Sequence, residues 1–218
     1  MEISEKLSPK YYSFEKYVTK ERMLTYWYQI KEIEKLKVSN VLEIGVGPGI
    51  VGGILKNLDK NIYTVDTNKD LNPDVVASVT NLSTKINPKN YDLVLCSRVL
   101  HHINFNEFDI ALQEMKIVTK KYVLITLPVD DFRLYFSFRI TSKRNINFTL
   151  RLPMFIKHLI LRFFPMGDIN YQDQWKINSK REYSFKCVSE KILKHFTILK
   201  SYALPEDRSH YMFLLEKL

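Results

Sequence analysis

VLEIGVGPGIVGGIL, residues 41–55, decides the fold. The chain has 6 glycines in 218 residues, and five of them, Gly45, Gly47, Gly49, Gly52 and Gly53, fall in this stretch. Glycine is costly to order, so a cluster marks backbone that must turn unusually or approach something closely. An apolar strand running into a glycine-rich turn and then into an apolar helix presents backbone amides to a nucleotide-like ligand.

Outward from this stretch the pattern alternates. NVLEIG (40–45), NIYTVD (61–66), DVVASV (74–79), YDLVLCSRVL (91–100) and KYVLITLP (121–128) predict strands. The fourth is apolar throughout, as a strand buried on both faces should be. IVGGILKNL and FNEFDIALQEMKIV predict helices, the second with Phe105, Phe108, Leu112 and Met115 on one side. Upstream, residues 10–37 carry apolar and aromatic positions at helical spacing, predicting one or two helices that end near Ser39 and Asn40. Downstream, 196–203 and 210–217 are apolar runs about a polar turn and predict an antiparallel pair. The expected architecture is α/β: a doubly wound, mostly parallel sheet of seven strands with an antiparallel last strand, and helices on both faces. The expected organisation is a helical segment (1–39), a cofactor-binding domain (40–128 and 187–218) and a basic insert (129–186).

Composition bounds the rest. A hydrophobic content of 45% with 26% charged residues describes a globular chain with ample core. The N-terminus lacks a basic start followed by an apolar run, and no apolar run is long enough to span a bilayer, so neither a signal peptide nor a spanning helix is expected. Cys96 and Cys187 have no metal-ligand spacing and predict reduced thiols in a cytoplasmic protein, with no metal.

The net charge of +9 suits nucleic acid, an anionic membrane or an acidic substrate, or simply solvates the surface. It is concentrated. From Phe132 to Gly167 there is no Asp or Glu, yet Arg133, Arg139, Lys143, Arg144, Arg151, Lys157 and Arg162 all occur. Within that segment Leu152, Phe155, Ile156, Leu159, Ile160 and Phe163 fall at the spacing of an amphipathic helix. The helix reads as packed on the domain, as a lid, as a contact with an anionic membrane surface, or as a homo-oligomer interface. Arg133, Arg139 and Arg151 are candidate clamps for an anionic substrate. Nucleic acid is not expected, because no module motif accompanies the charge.

Three ligand classes use such a glycine loop. A triphosphate loop requires G-x-x-x-x-G-K-[ST], which is absent. A dinucleotide loop requires G-x-G-x-x-G directly after the strand, and Ile50 stands where its third glycine belongs; the register Gly47, Gly49, Gly52 begins two residues late. The third class fits: Glu43-Ile44-Gly45-Val46-Gly47-Pro48-Gly49 resembles motif I of the class I S-adenosylmethionine-dependent methyltransferases, which have a Rossmann-like fold.

The resemblance covers about 38–128 and 187–218. It implies S-adenosyl-L-methionine as cofactor, with Glu43 and Gly45, Gly47 and Gly49 around it. Asp66, followed by Thr67, stands where the family's acid takes the ribose hydroxyls. Ser78 and Val79 fall where the family contacts adenine, although the family usually has an acid at the position of Ser78. YDLVLCSRVLHHI resembles the fourth motif, whose strand ends at Ser97 beneath the reactive methyl. YWYQI (26–30) is similar to an aromatic Y-x-x-Q-I helix in some bacterial methyltransferases. Their later H-x-W-E element reads Asp173-Gln174-Trp175-Lys176 here, and Trp175 is the candidate substrate contact.

Methyl transfer is an in-line displacement in which alignment does most of the work, and a base is needed only for a weakly acidic acceptor. His101 and His102 are the candidate bases, with a packing or helix-start role as the plainer alternative. His210 reads as a solvated strand end, and His158 and His195 as surface groups. The expected activity is methylation of an oxygen or nitrogen of a small acceptor, anionic or lipid- or glycan-linked, in the cytoplasm or at the inner membrane face. The alternatives are a dinucleotide-dependent oxidoreductase, and a non-catalytic cofactor-binding adaptor that contacts membrane or RNA through the insert.

Overall fold

The computed structural model describes residues 9–87, 90–141, 144–153, 156, 162–163, 173–204, 207 and 209–218. Short helical turns at Pro9–Tyr12 and Phe14–Tyr17 lead into helix α1 (Lys20–Lys35), whose N-cap Thr19 accepts a hydrogen bond from the Arg22 amide. Strand β1 (Asn40–Ile44) and helix α2 (Ile50–Asn57) flank the glycine loop. Then come β2 (Asn61–Asp66), β3 (Val75–Val76), β4 (Tyr91–Ser97), helix α3 (Phe108–Val118) and β5 (Thr119–Pro128). The chain closes with helix α4 (Phe185–Leu193), β8 (Phe196–Ala203) and β9 (His210–Lys217), after an intervening hairpin of β6 (Phe132–Thr141) and β7 (Arg144–Leu152).

Seven strands form one sheet in the order β3-β2-β1-β4-β5-β9-β8. The first five run parallel, and β9 is inserted antiparallel between β5 and β8. The order reverses between β1 and β4, and open α/β sheets bind ligands outside the carboxyl ends of the strands at such a switch point.

Side-chain alternation explains the apolar strands. Leu42, Ile44, Val94, Cys96, Val123 and Ile125 join a core with Phe108, Leu112 and Met115 of α3 and Val188 and Ile192 of α4. Val41, Leu93, Leu95 and Leu124 face the other way, onto Tyr26 and Ile33 of α1 and Val51 and Leu55 of α2. With both faces covered, no position along β1 or β4 needs to be polar. Glu43 therefore sits on the side that α2 covers.

Two local expectations change. The third strand is two residues long instead of spanning 74–79: Asp74 accepts from the Thr64 amide and hydroxyl at 2.8 and 2.7 Å, and Ser78 bonds Thr80 at 2.9 Å, drawing the chain into turns on either side. The insert opens with a separate antiparallel hairpin, β6 on β7. Most of the amphipathic helix expected at 152–163 lies outside the described residues, but Leu152, its first position, ends strand β7. The chain returns to the main body at 173–183, where Trp175 and Ile177 enter the α3-side core and Ile177 bridges Val129. Among the described residues no helix is long and apolar enough to cross a membrane.

Candidate active site

The glycine loop follows β1 at the switch point. Gly45, Gly47 and Gly49 have φ of +84°, +51° and +69°, the left-handed region that side chains rarely adopt. A β-carbon on Gly45 would also collide with Val99. At Gly49, the N-cap of α2, an added β-carbon meets nothing within 4 Å, so the loop is open there.

Asp66 ends β2 and braces this loop. One carboxylate oxygen accepts from the Val46 amide and the other from the Asn68 amide, each at 2.9 Å. A carboxylate has about four lone-pair sites, so capacity remains for ligand hydroxyls. Thr67 beside it is exposed, Ser78 is half-buried, and Val79 is in the core.

Glu43, placed by sequence among the cofactor ligands, points its carboxyl at α2. It is 5% exposed, and its Oε2 has no hydrogen-bond partner among the described residues. Burial pushes its pKa up to about 8, against the opposing pull of the nearby Gly52 amide and of Lys56. The glycine of α2 that allows this is Gly52, where a β-carbon would collide with Glu43 Oε2. The adjacent Gly53 faces open space.

Ser97 ends β4 in a short chain of hydrogen bonds. Its hydroxyl receives Gln29 Nε2 at 2.6 Å and lies 2.5 Å from the Thr126 hydroxyl. Gln29, the glutamine of YWYQI, is fully buried, and its Oε1 has no hydrogen-bond partner among the described residues. Helix α1 thus delivers a polar group to the carboxyl ends of β4 and β5. Tyr12 approaches the loop from the same N-terminal segment: its ring lies 3.9 Å from where a Gly47 β-carbon would be. Tyr11, Tyr12 and Tyr17 pack edge to face, and the Arg22 guanidinium sits 3.7 Å above the Tyr17 ring. Sequence spacing marked Tyr17 only as a helical position.

Next to this lies a buried ionic knot that the sequence did not announce. Arg98, at φ +58°, pairs with Asp207, which also accepts from the Thr25 hydroxyl at 2.8 Å and the Ser209 hydroxyl at 2.7 Å. His210 is 3.2 Å from Asp207 and only 7% exposed, so it is no solvated strand end. Burial, with Arg98 nearby, holds its pKa down to about 4.

His101 and His102 follow β4 in a short 3-10 turn, with ring centroids 4.0 Å apart. His101 is buried and His102 exposed. His101 Nε2 lies 3.1 Å from Asp173 Oδ1. Burial pulls the imidazole down to about 4 despite that carboxylate. Burial opposes ionisation of Asp173 too, but His101 and Lys176 outweigh it and hold its carboxyl down to about 2. The residues after Asp173 clasp the same turn. The Gln174 amide donates to His101 O at 2.9 Å, Gln174 Nε2 to His102 O at 2.8 Å, and Trp175 Nε1 to Ile103 O at 3.2 Å. Trp175, expected to touch substrate, is 2% exposed and packs edge-on to Phe105 and Phe108. Its place here is to fix the histidine turn. The donor atoms of His101, His102 and Asp173 also lie within 4.8 Å of one another, a spacing compatible with a metal ion that the sequence had not suggested.

The candidate anion clamps separate, although Arg151 on β7 pairs with Arg133 and lies 3.8 Å from Asp131. Arg133 is buried and its Nε lies 2.6 Å from Asp131 Oδ1, so its charge is already met by the residue just before the acid-free segment. Arg139 is exposed on β6.

Residues 42–125 match the family described as the methyltransferase domain. Among solved structures, the N-methyltransferase NodS from Bradyrhizobium japonicum WM9 in complex with S-adenosyl-L-homocysteine aligns with a TM-score of 0.57 at 11% identity, over 92% of this chain and 89% of that one. Magnesium protoporphyrin IX methyltransferase from Synechocystis PCC 6803, with the same product bound, gives 0.59 at 11% identity, over 91% and 84%. An S-adenosylmethionine-dependent methyltransferase from Clostridium acetobutylicum gives 0.57 at 11% identity, over 89% and 92%. No curated protein matches the chain. At such identities the structural likeness is one of fold; the family match supplies the chemistry. Together they show that the chain carries a class I S-adenosylmethionine-dependent methyltransferase domain.

Proposed function

We propose that this chain moves a methyl group from S-adenosylmethionine to an oxygen or nitrogen of a small acceptor, with His101 as the base. The observation that carries it is convergence at the carboxyl ends of three adjacent strands: the left-handed glycine loop after β1, Asp66 at the end of β2, and Ser97 with buried Gln29 at the end of β4. The cofactor supplies an electrophilic methyl on its sulfonium. Asp66 would accept the ribose hydroxyls with its spare lone pairs, the loop would bring its backbone up to the cofactor, and Ser78 and Val79 would border the adenine. His101 is kept neutral by burial. With its Nε2–H donating to Asp173, its Nδ1 holds the lone pair that takes the acceptor's proton, and Asp173 steadies the imidazolium that results. An acceptor with an apolar or lipid-linked portion is favoured over a free anion, since Arg133 is already neutralised while the neighbouring hairpin exposes apolar side chains.

Calorimetry tests the cofactor. S-adenosylhomocysteine should bind and NAD should not, and Asp66→Ala should weaken binding at least about tenfold, the worth of one charge-assisted hydrogen bond. Binding of NAD without S-adenosylhomocysteine overturns the proposal.

A further inference from the structure

Strands β6 and β7 form a two-stranded sheet of their own. Leu134 pairs with Leu150, Phe136 with Phe148, and Phe138 with Ile146. Paired residues, and residues two apart along a strand, share one face of a sheet, so these six side chains make a single apolar face. Phe136 and Phe148 stack at 6.2 Å between ring centroids. The face is open: Phe138 is 61% exposed, Phe148 53% and Ile146 52%. Single exposed apolar residues are ordinary, but a contiguous row of large ones marks a contact surface. The intervening positions Ser137 and Arg139 belong to the opposite face, and Arg139 is exposed.

Charge says what the contact is. The segment from Phe132 to Gly167 contributes seven cations and no acid. Asp131, the nearest acid before it, already serves Arg133 at 2.6 Å and lies 3.8 Å from Arg151. Packing two copies of this hairpin face to face would bring two acid-free segments together with no counter-charge. An anionic lipid surface supplies that charge and an apolar layer beneath it.

We propose that the β6–β7 hairpin docks flat on an anionic bilayer, its Leu134, Phe136, Phe138, Ile146, Phe148 and Leu150 face turned into the headgroup–acyl boundary. It lies in the interface and does not span, because its two open strand edges need water or headgroups for their amides and carbonyls. The hairpin begins just after β5 ends, so docking brings the carboxyl-end rim of the sheet towards the lipid. The docking face includes none of the residues assigned above to the cofactor or to proton transfer.

The test uses the full chain and vesicles of phosphatidylcholine, with and without phosphatidylglycerol. The chain should sediment with the anionic vesicles, less so as salt is raised. Phe138→Ser with Phe148→Ser should weaken this at least about tenfold. Both sites are exposed, so S-adenosylhomocysteine affinity should be unchanged, which separates lost docking from lost fold or a failed cofactor assignment. Equal vesicle binding by wild type and the double variant overturns the proposal. So does a dimer in sedimentation velocity that the double variant dissociates while neither protein binds vesicles; that result assigns the face to a second copy.

Discussion

Glu43 Oε2 fills the space that a β-carbon on Gly52 would need. Strand β1 and the first turn of α2 meet through a carboxyl on one side and a missing side chain on the other, and Glu43 Oε2 has no hydrogen-bond partner among the described residues. The adjacent Gly53 has nothing near it. Two neighbouring glycines in one helix should therefore respond in opposite ways. Gly52→Ala should cost about 1–3 kcal/mol, as overpacking does. Gly53→Ala should stabilise by about 0.5–1 kcal/mol, because an exposed helix interior prefers alanine. Urea midpoints with unchanged slopes would show both, and two substitutions of the same sign would mean that Glu43 does not hold this position.

The same carboxyl makes stability depend on pH in an unusual direction. Its folded pKa, about 8, lies above the usual carboxylate value. The folded state keeps a proton that the unfolded chain has lost, so this contribution is complete at acid pH and drains away as pH rises through about 8. Glu43→Gln should match wild type near the acid end of that window and exceed it by a few kcal/mol at the alkaline end. Thermal melts across the range would measure the difference, and parallel curves would remove Glu43 as the cause.

These features show where the sequence was legible. β1, the loop, α2, β2, β4 and β5 were readable because glycine clusters and apolar runs are local signals, and the reversed last strand because two apolar runs flank a polar turn. The β6 alternation of Leu134, Phe136 and Phe138 with Arg133, Ser137 and Arg139 was also present in the sequence, but the charge of the insert and the helical spacing after Leu152 drew the reading elsewhere. What no local pattern could give was distant pairing. His210 is buried because Arg98 and Asp207 meet beside it, and Trp175 is buried because the histidine turn and α3 receive it. The aim of the Glu43 carboxyl depends on which helix covers that face of β1.

Gln29 should prove to be part of the cofactor site, though it lies on α1, well before the glycine loop. It is fully buried, gives its amide hydrogen to Ser97, and keeps an unpartnered carbonyl at the carboxyl ends of the strands. Gln29→Leu fills similar volume without the polar atoms. S-adenosylhomocysteine affinity should fall about tenfold in calorimetry while the melting temperature moves little, because a buried unsatisfied oxygen is removed together with its hydrogen bond. A large loss of stability at unchanged affinity would make Gln29 a tether between α1 and β4 and nothing more.

The His101–Asp173 pair admits two chemistries, and one neighbour argues for the first. As a base, His101 needs Asp173 to hold its Nε2–H and leave Nδ1 free to take a proton. As metal ligands, His101 and Asp173 would act with His102, whose donor atom is within 4.8 Å of theirs. Lys176 Nζ lies 3.2 Å from Asp173 Oδ2 and already supplies the positive charge that the carboxylate needs, so a divalent ion at the same carboxylate would face an ammonium at close range. The acid–base pair is therefore expected. Asp173→Asn should lower kcat about a hundredfold or more, through loss of the tautomer that leaves Nδ1 unprotonated, while acceptor KM and S-adenosylhomocysteine affinity stay near wild type. Exhaustive chelation should leave wild-type turnover intact. Loss of turnover on chelation with recovery on zinc or manganese would reverse the assignment, placing the ion at His101, His102 and Asp173 and requiring Lys176 to swing away.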